Sequence, residues 1–109
     1  DVTTCAVIPE SHRSRATLIA KEPFLLAGLP FAERIFRLVS PKSEFKAYKK
    51  DGDAVKRGII IAKINGNTRD LLMVERTALN LLQRLSGIAT LTRKFVDCVK
   101  GLSVKIVDT

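Results

Sequence analysis

An α+β fold is what this 109-residue sequence predicts, and two observations carry the prediction. The first two-thirds of the chain strings together short β-prone runs separated by turns marked with Gly, Pro, Asn and Asp. The remainder is one long helical repeat, in which Leu71, Val74, Ala78, Leu81, Leu82, Leu85, Ile88, Ala89, Val96 and Val99 recur at i, i+3, i+4 and i+7. Such a stripe is broad enough to cover a core. A strand-rich part followed by a helix-rich one favours an α+β sandwich.

The elements follow in order. Thr3 to Val7 is a first strand, Arg15 to Lys21 alternates well enough for a second, and Phe24 to Ala27 makes a third that Gly28 ends. Between the first two, Pro9-Glu10-Ser11-His12-Arg13 has the composition of a turn, so His12 is a loop side chain rather than a base. Leu29-Pro30 opens a helix over Phe31 to Val39, with Pro in its first turn and Ser40-Pro41 as its stop. Phe31, Ile35, Leu38 and Val39 form its inner face. Glu44 to Lys49 is a strand, Asp51-Gly52 a tight turn, and Ile59 to Ile64 a further strand that Asn65-Gly66 closes. The long helix spans Leu71 to Val99, with a point of kinking at Ser86-Gly87. Val104 to Thr109 reads as a last strand.

Composition bounds the function. At 46% hydrophobic and 28% charged residues the chain is ordinary for a globular protein, and its length suffices for one core without staples. A formal net charge of +8 points to an anionic partner. The densest basic run, Lys42 to Arg57, is broken by Glu44, Asp51 and Asp53 and holds only Phe45 and Tyr48 as aromatics, which argues against a nucleic-acid surface. Cys5 and Cys98 show neither disulfide-framework nor zinc spacing and read as free thiols in a reducing compartment. No apolar run reaches the roughly 20 residues of a membrane span and no signal-peptide pattern is present, so the expectation is a soluble, cytoplasmic protein. The chain starts at Asp1 without an initiator Met and stops on a strand with no partner after it, so the sequence reads as a piece of a longer protein.

The second face of the long helix is the most informative feature. Arg76, Asn80, Gln83 and Gly87 succeed one another along it, flanked by Leu72, Leu79, Ser86 and Thr90. A solvated face would carry Lys and Glu, whereas this one offers amides, small residues and one guanidinium with no acid three or four positions away on its own helix. Its partner therefore lies elsewhere. At about 1.5 Å per residue the rod is roughly 40 Å long, against a radius of gyration of about 13 Å for a globule of this size. It outruns its own domain and should pack on a second domain or subunit.

Two resemblances add to this. Asp51-Gly52-Asp53-Ala54-Val55-Lys56-Arg57-Gly58 resembles the G-D-x-V-x-x-G hammerhead of lipoyl and biotinyl carrier domains. A carrier also needs a modifiable Lys at a hairpin tip, commonly between methionines, and the single Met, Met73, lies at the start of the long helix. More specifically, Asp1-Val2-Thr3-Thr4, Leu26-Ala27-Gly28-Leu29-Pro30, Asp51-Gly52-Asp53, Glu75-Arg76-Thr77-Ala78-Leu79-Asn80, Leu85-Ser86-Gly87-Ile88-Ala89-Thr90 and Val107-Asp108-Thr109 together resemble quinolinate phosphoribosyltransferase. The resemblance implies an α/β-hammerhead sandwich over residues 1–100, followed at 101–109 by the opening strand of an α/β barrel that continues past the chain.

It also implies a reaction. Phosphoribosyl is transferred from phosphoribosyl pyrophosphate to the nitrogen of quinolinate, with Mg²⁺ held outside this stretch, and CO₂ is lost to give nicotinate mononucleotide. Arg76 takes the position whose guanidinium reaches substrate in the barrel of a neighbouring subunit of a homodimer, and Thr109 falls where the barrel begins to line the substrate pocket. Apart from the resemblance, nothing in the sequence marks Glu75 as a buried base, so it reads as a residue that orients Arg76 or packs at the interface, and Arg84 and Arg93 read as solvated helix cations. By itself the stretch is implied to be inactive. Two alternatives are a molybdenum-utilisation relative of the same architecture and a noncatalytic lipoyl-like interaction module.

Overall fold

The computed structural model describes residues 2–101. Its sheet starts with a hairpin of β1 (Thr3–Glu10) and β2 (Arg13–Ala20), turned at Ser11-His12 with Ser11 at a φ of 61°. A short β3 (Phe24–Leu25) precedes α1 (Leu29–Val39), then come β4 (Glu44–Ala47), β5 (Ala54–Val55), β6 (Ile60–Asn67) and α2 (Thr68–Gly101). Four strands form an antiparallel sheet in the order β1-β2-β6-β4, and β3 and β5 pair in a separate two-stranded ribbon. This is the α+β arrangement the sequence predicts, with the ribbon occupying the hammerhead segment.

Alternation decides which side of the sheet is buried. Thr3, Cys5 and Val7 of β1 lie opposite Ala20, Leu18 and Ala16 of β2, and the same side of β6 carries Ala62 and Ile64. Those residues meet Leu71, Val74, Ala78 and Leu82 of α2 in the core, with Phe24, Leu26, Leu29, Ala32, Phe36 and Val55 closing its end. The Phe36 ring tilts against Phe45 at 5.8 Å between centroids.

Three expectations are corrected. The inner face of α1 is Leu29, Ala32 and Phe36 with Ile35 at its edge, while Phe31, Leu38 and Val39 are 63%, 71% and 40% exposed. The helix begins at Leu29, so Leu29, Ala32 and Phe36 share one side and Phe31 and Leu38 fall on the opposite one. Asn65-Gly66 does not end β6: the strand runs on to Asn67 and α2 starts at the next residue. Gly66 serves packing instead, because a Cβ there would stand 3.1 Å from Ser43 Cβ and 3.2 Å from Leu71 Cδ2. Finally, the buried stripe of α2 fades beyond Leu85, with Ile88 58% and Val96 36% exposed, although the helix itself runs unbroken through Ser86-Gly87.

The predicted outrunning rod is present. The molecule measures 58 × 29 × 19 Å with a radius of gyration of 16.3 Å, longer than a compact globule of this size. The strand predicted over 104–109 lies outside the described residues.

Candidate functional site: the outer face of the long helix

Several devices fix the azimuth of α2, and hence the direction in which its outer face points. At its start the Asn67 side-chain carbonyl accepts from the Asp70 N–H at 3.2 Å, an N-cap. Thr68 N–H donates to the His12 carbonyl at 2.9 Å and its hydroxyl meets Ser14 Oγ at 2.6 Å, which ties the helix to the β1–β2 turn. Along the inner side Leu71, Val74, Ala78 and Leu82 are almost wholly buried.

One turn after Leu82 the apolar stripe gives way to hydroxyls, and these hold backbone. Ser86 Oγ accepts from Ala27 N–H at 3.0 Å and donates to the Ala27 carbonyl at 3.1 Å. Thr90 Oγ1 accepts from Leu25 N–H at 2.9 Å and donates to the Ser86 carbonyl at 2.7 Å. The segment after β3 is thereby sewn onto α2, closely enough that a Cβ on Gly28, at φ +94°, would come 2.5 Å from Leu85 Cδ1. The same Gly28 begins α1 and has no side chain to cap it. Asp51, at the tip of the hammerhead turn, supplies the cap from afar, its two carboxylate oxygens accepting from Gly28 and Leu29 N–H at 2.9 Å each.

Ser86 and Thr90 therefore belong to positioning rather than to the outer face on which sequence spacing put them. A signal was available: Ser86 follows Leu82 by one turn in the buried stripe, and a buried hydroxyl needs a partner. Asp51 gave no comparable sign, since its contacts are with residues more than twenty positions away.

Opposite these residues, Met73, Arg76, Asn80, Arg84 and Gly87 are exposed, and Gln83 is half-buried beside them. Around them Leu72, Met73, Leu91 and Phe95 are 54%, 61%, 70% and 67% exposed. A Cβ on Gly87 would touch nothing within 4 Å. The ion pairs among the described residues are Arg15–Glu10 and Arg37–Glu33, so the Arg76 guanidinium has no carboxylate partner there.

Glu75, its neighbour in sequence, turns the other way. It lines a small apolar cavity with Cys5, Phe36, Phe45 and Leu79. Burial first, and then the Glu75 carboxylate, push the Cys5 thiol up to about 11, so Cys5 is an inert, protonated thiol. Cys98 is free and exposed, and Arg84 and Arg93 are solvent-exposed as anticipated. Thr109 lies outside the described residues. Among the described residues no three His, Cys, Asp or Glu side chains come together as metal ligands, and no helix is long and apolar enough to cross a membrane.

Fold and site define a class: an α+β domain whose long helix leaves a partly apolar outer face uncovered, bearing exposed Arg76 and Arg84 without carboxylate partners among the described residues. Known proteins make the class specific. Residues 1–86 match the sequence profile of the quinolinate phosphoribosyl transferase N-terminal domain. A Synechocystis protein described as “Probable nicotinate-nucleotide pyrophosphorylase” is 45% identical over 98 residues, covering 90% of this chain and 33% of the relative. A mitochondrial quinolinate phosphoribosyltransferase of Nicotiana tabacum is 43% identical over 97 residues, 89% of this chain and 28% of the relative. Among solved structures, NadC from Streptococcus pyogenes superposes with a TM-score of 0.79 at 40% identity, covering 85% of this chain and 34% of that one. The chain belongs to the quinolinate phosphoribosyltransferase family, matching its N-terminal domain. It spans about a third of the length of those relatives. This family is favoured over the molybdenum-utilisation and lipoyl-like alternatives.

Proposed function

We propose that the chain is the N-terminal portion of an enzyme of NAD biosynthesis that joins quinolinate to phosphoribosyl pyrophosphate. The pyridine nitrogen displaces pyrophosphate from the ribose carbon, and the carboxylate next to that nitrogen leaves as CO₂, its bonding pair staying on the ring carbon and taking up a proton to give nicotinate mononucleotide. The observation that carries this reading is Arg76, an exposed guanidinium without a carboxylate partner on a helix whose azimuth is fixed by buried packing and three hydrogen bonds between its hydroxyls and the backbone of Leu25 and Ala27.

Quinolinate is a planar dicarboxylate, and an arginine fork matches a carboxylate with two parallel N–H bonds. In the proposed assembly, a homodimer, the outer face of α2 docks on the partner's barrel and Arg76 grips a carboxylate there. Exposed Leu72 and Met73 beside Arg76, with Leu91 and Phe95 further along the same helix, support the docking, since exposed apolar groups of that size mark an interface. Thr109, outside the described residues, is the second proposed substrate contact, at the start of a barrel that follows the 1–100 sandwich. Mg²⁺ is proposed for the full-length enzyme, with its ligands outside this stretch. The proposed compartment is cytoplasmic, in keeping with two free cysteines, although the tobacco relative carries a mitochondrial name. Alone, this portion is proposed to be inactive.

The test is subunit complementation in the full-length protein, assayed for nicotinate mononucleotide from quinolinate and phosphoribosyl pyrophosphate. Arg76→Ala mixed with a variant inactivated only in the barrel should regain activity, because one of the two hybrid sites combines an intact Arg76 with an intact barrel. Verified heterodimers without activity would remove the shared-site reading.

A further inference from the structure

We propose that the open side of the four-stranded sheet carries an anion-binding site, built by Lys46, Lys63 and Tyr48, that takes a phosphoryl group. Helix α2 covers one side of the sheet, and alternate residues of β2, β4 and β6 point away from it. In the antiparallel register Lys46 stands directly opposite Lys63, and Lys63 directly opposite Thr17. Tyr48 follows Lys46 by two residues and so projects to the same side. Lys46 Nζ lies 5.2 Å and Lys63 Nζ 5.7 Å from the centroid of its ring.

Two like charges facing each other across strands destabilise a sheet. Neither lysine makes an ion pair among the described residues, and Arg15 on the next row is engaged with Glu10. Glu44, the acid on this part of the face, stands opposite Asn65 rather than opposite either lysine. A concavity of about 440 Å³ opens over the cluster, lined also by Ile8, Arg15, Thr17 and Asn65, with Glu44 at its far side from the two ammonium groups' shared ring. The exposed apolar side chains of the helical layer suit burial by more polypeptide. This polar face suits a small, mobile ligand.

The arrangement selects the ligand's charge and size. Both ammonium groups converge on one ring, a point focus that matches a single compact group rather than an extended acidic strip. A phosphate dianion balances two ammoniums and has oxygens to spare for the Thr17 hydroxyl, whereas one carboxylate balances only one. Inorganic phosphate and a phosphate monoester share this chemistry.

The test is titration calorimetry on the full-length protein with inorganic phosphate and with glycerol 3-phosphate, at ionic strength held constant with sodium chloride, for wild type, Lys46→Met, Lys63→Met and Arg76→Ala. The site predicts a binding event of roughly millimolar Kd that weakens at least tenfold in either lysine variant and persists in Arg76→Ala. The tighter of the two ligands identifies the source of the phosphoryl group. In phosphate-free, low-salt buffer each lysine variant should melt no lower than wild type, because the opposed charges are relieved, so loss of binding is not loss of fold. Equal phosphate binding in all four proteins would overturn the proposal, as would a glutamate-rich peptide that binds through the same lysines where phosphate does not.

Discussion

The inner and outer faces of α2 come from one stretch of chain but obey different rules. On the inner face the stripe is packed and its buried hydroxyl satisfied: Leu82, Leu71, Ala78 and Val74 are 0–3% exposed, and Ser86, fully buried, spends its hydroxyl on both backbone groups of Ala27. The outer face has an arginine without a carboxylate, a glycine that touches nothing and leucines open to solvent. One face satisfies the fold, and the other leaves its groups for something outside it. A helix that needed only to stabilise this domain could have ended near Thr90, where the last hydroxyl reaches the strap. It runs eleven residues further, to Gly101, bearing Leu91 and Phe95 in the open.

Substitutions on the two faces should separate accordingly. Leu82→Ala, in the most buried part of the inner face, should cost about 2–5 kcal/mol in denaturant unfolding, by transfer and cavity terms together. An effect below ~1 kcal/mol would mean that α2 is not seated as described. Ser86→Ala should cost about 1–3 kcal/mol, because Ala27 N–H and C=O lose their partner in a part-buried position. Chemical denaturation of Ser86→Ala beside Thr90→Ala would show whether both stitches matter.

On the outer face the sign reverses. Gly87→Ala should stabilise this portion by up to about 1 kcal/mol, the ordinary helix preference, since its Cβ meets no neighbour. Gly87→Leu should weaken the proposed dimer in the full-length protein by overpacking, and an unchanged sedimentation profile would move the interface away from Gly87.

The smallest effect concerns pH. Cys5 has a folded pKa of about 11 against an ordinary 9.0, so its protonated form is favoured in the fold. That contribution is complete below pH 9 and is lost as pH rises toward 11. In native protein exposed Cys98 should alkylate well before Cys5, and equal rates would show that the sheet does not shield the thiol.

Much of this was legible in the sequence. Hydrophobic period and turn residues located the elements, and the long helix lies within three residues of its predicted limits, because periodicity over many turns is a strong local signal. The arginine without a helical partner could be read from spacing alone, since i+3 and i+4 neighbours are the relevant ones on a single helix. What failed was tertiary. The face that α1 buries is decided by where Leu29, Ala32 and Phe36 meet the sheet and α2. Gly66 resembles a turn glycine until Ser43 and Leu71 close over it. The roles of Ser86, Thr90 and Asp51 depend on backbone groups 59, 65 and more than twenty positions distant, which no local pattern encodes.

The claim at the centre of this account is that Arg76 serves substrate and not fold. Its most direct test is Arg76→Ala in the full-length protein, with kcat/KM for quinolinate and the melting temperature measured on the same preparation. Losing a charge-assisted, two-pronged contact worth about 2–4 kcal/mol should lower kcat/KM roughly 30- to 1000-fold, with Arg76→Lys recovering part of it. The melting temperature should stay at the wild-type value, because Arg76 is exposed and makes no ion pair within the domain. Unchanged kinetics, or a loss of activity that tracks a loss of stability, would contradict the account.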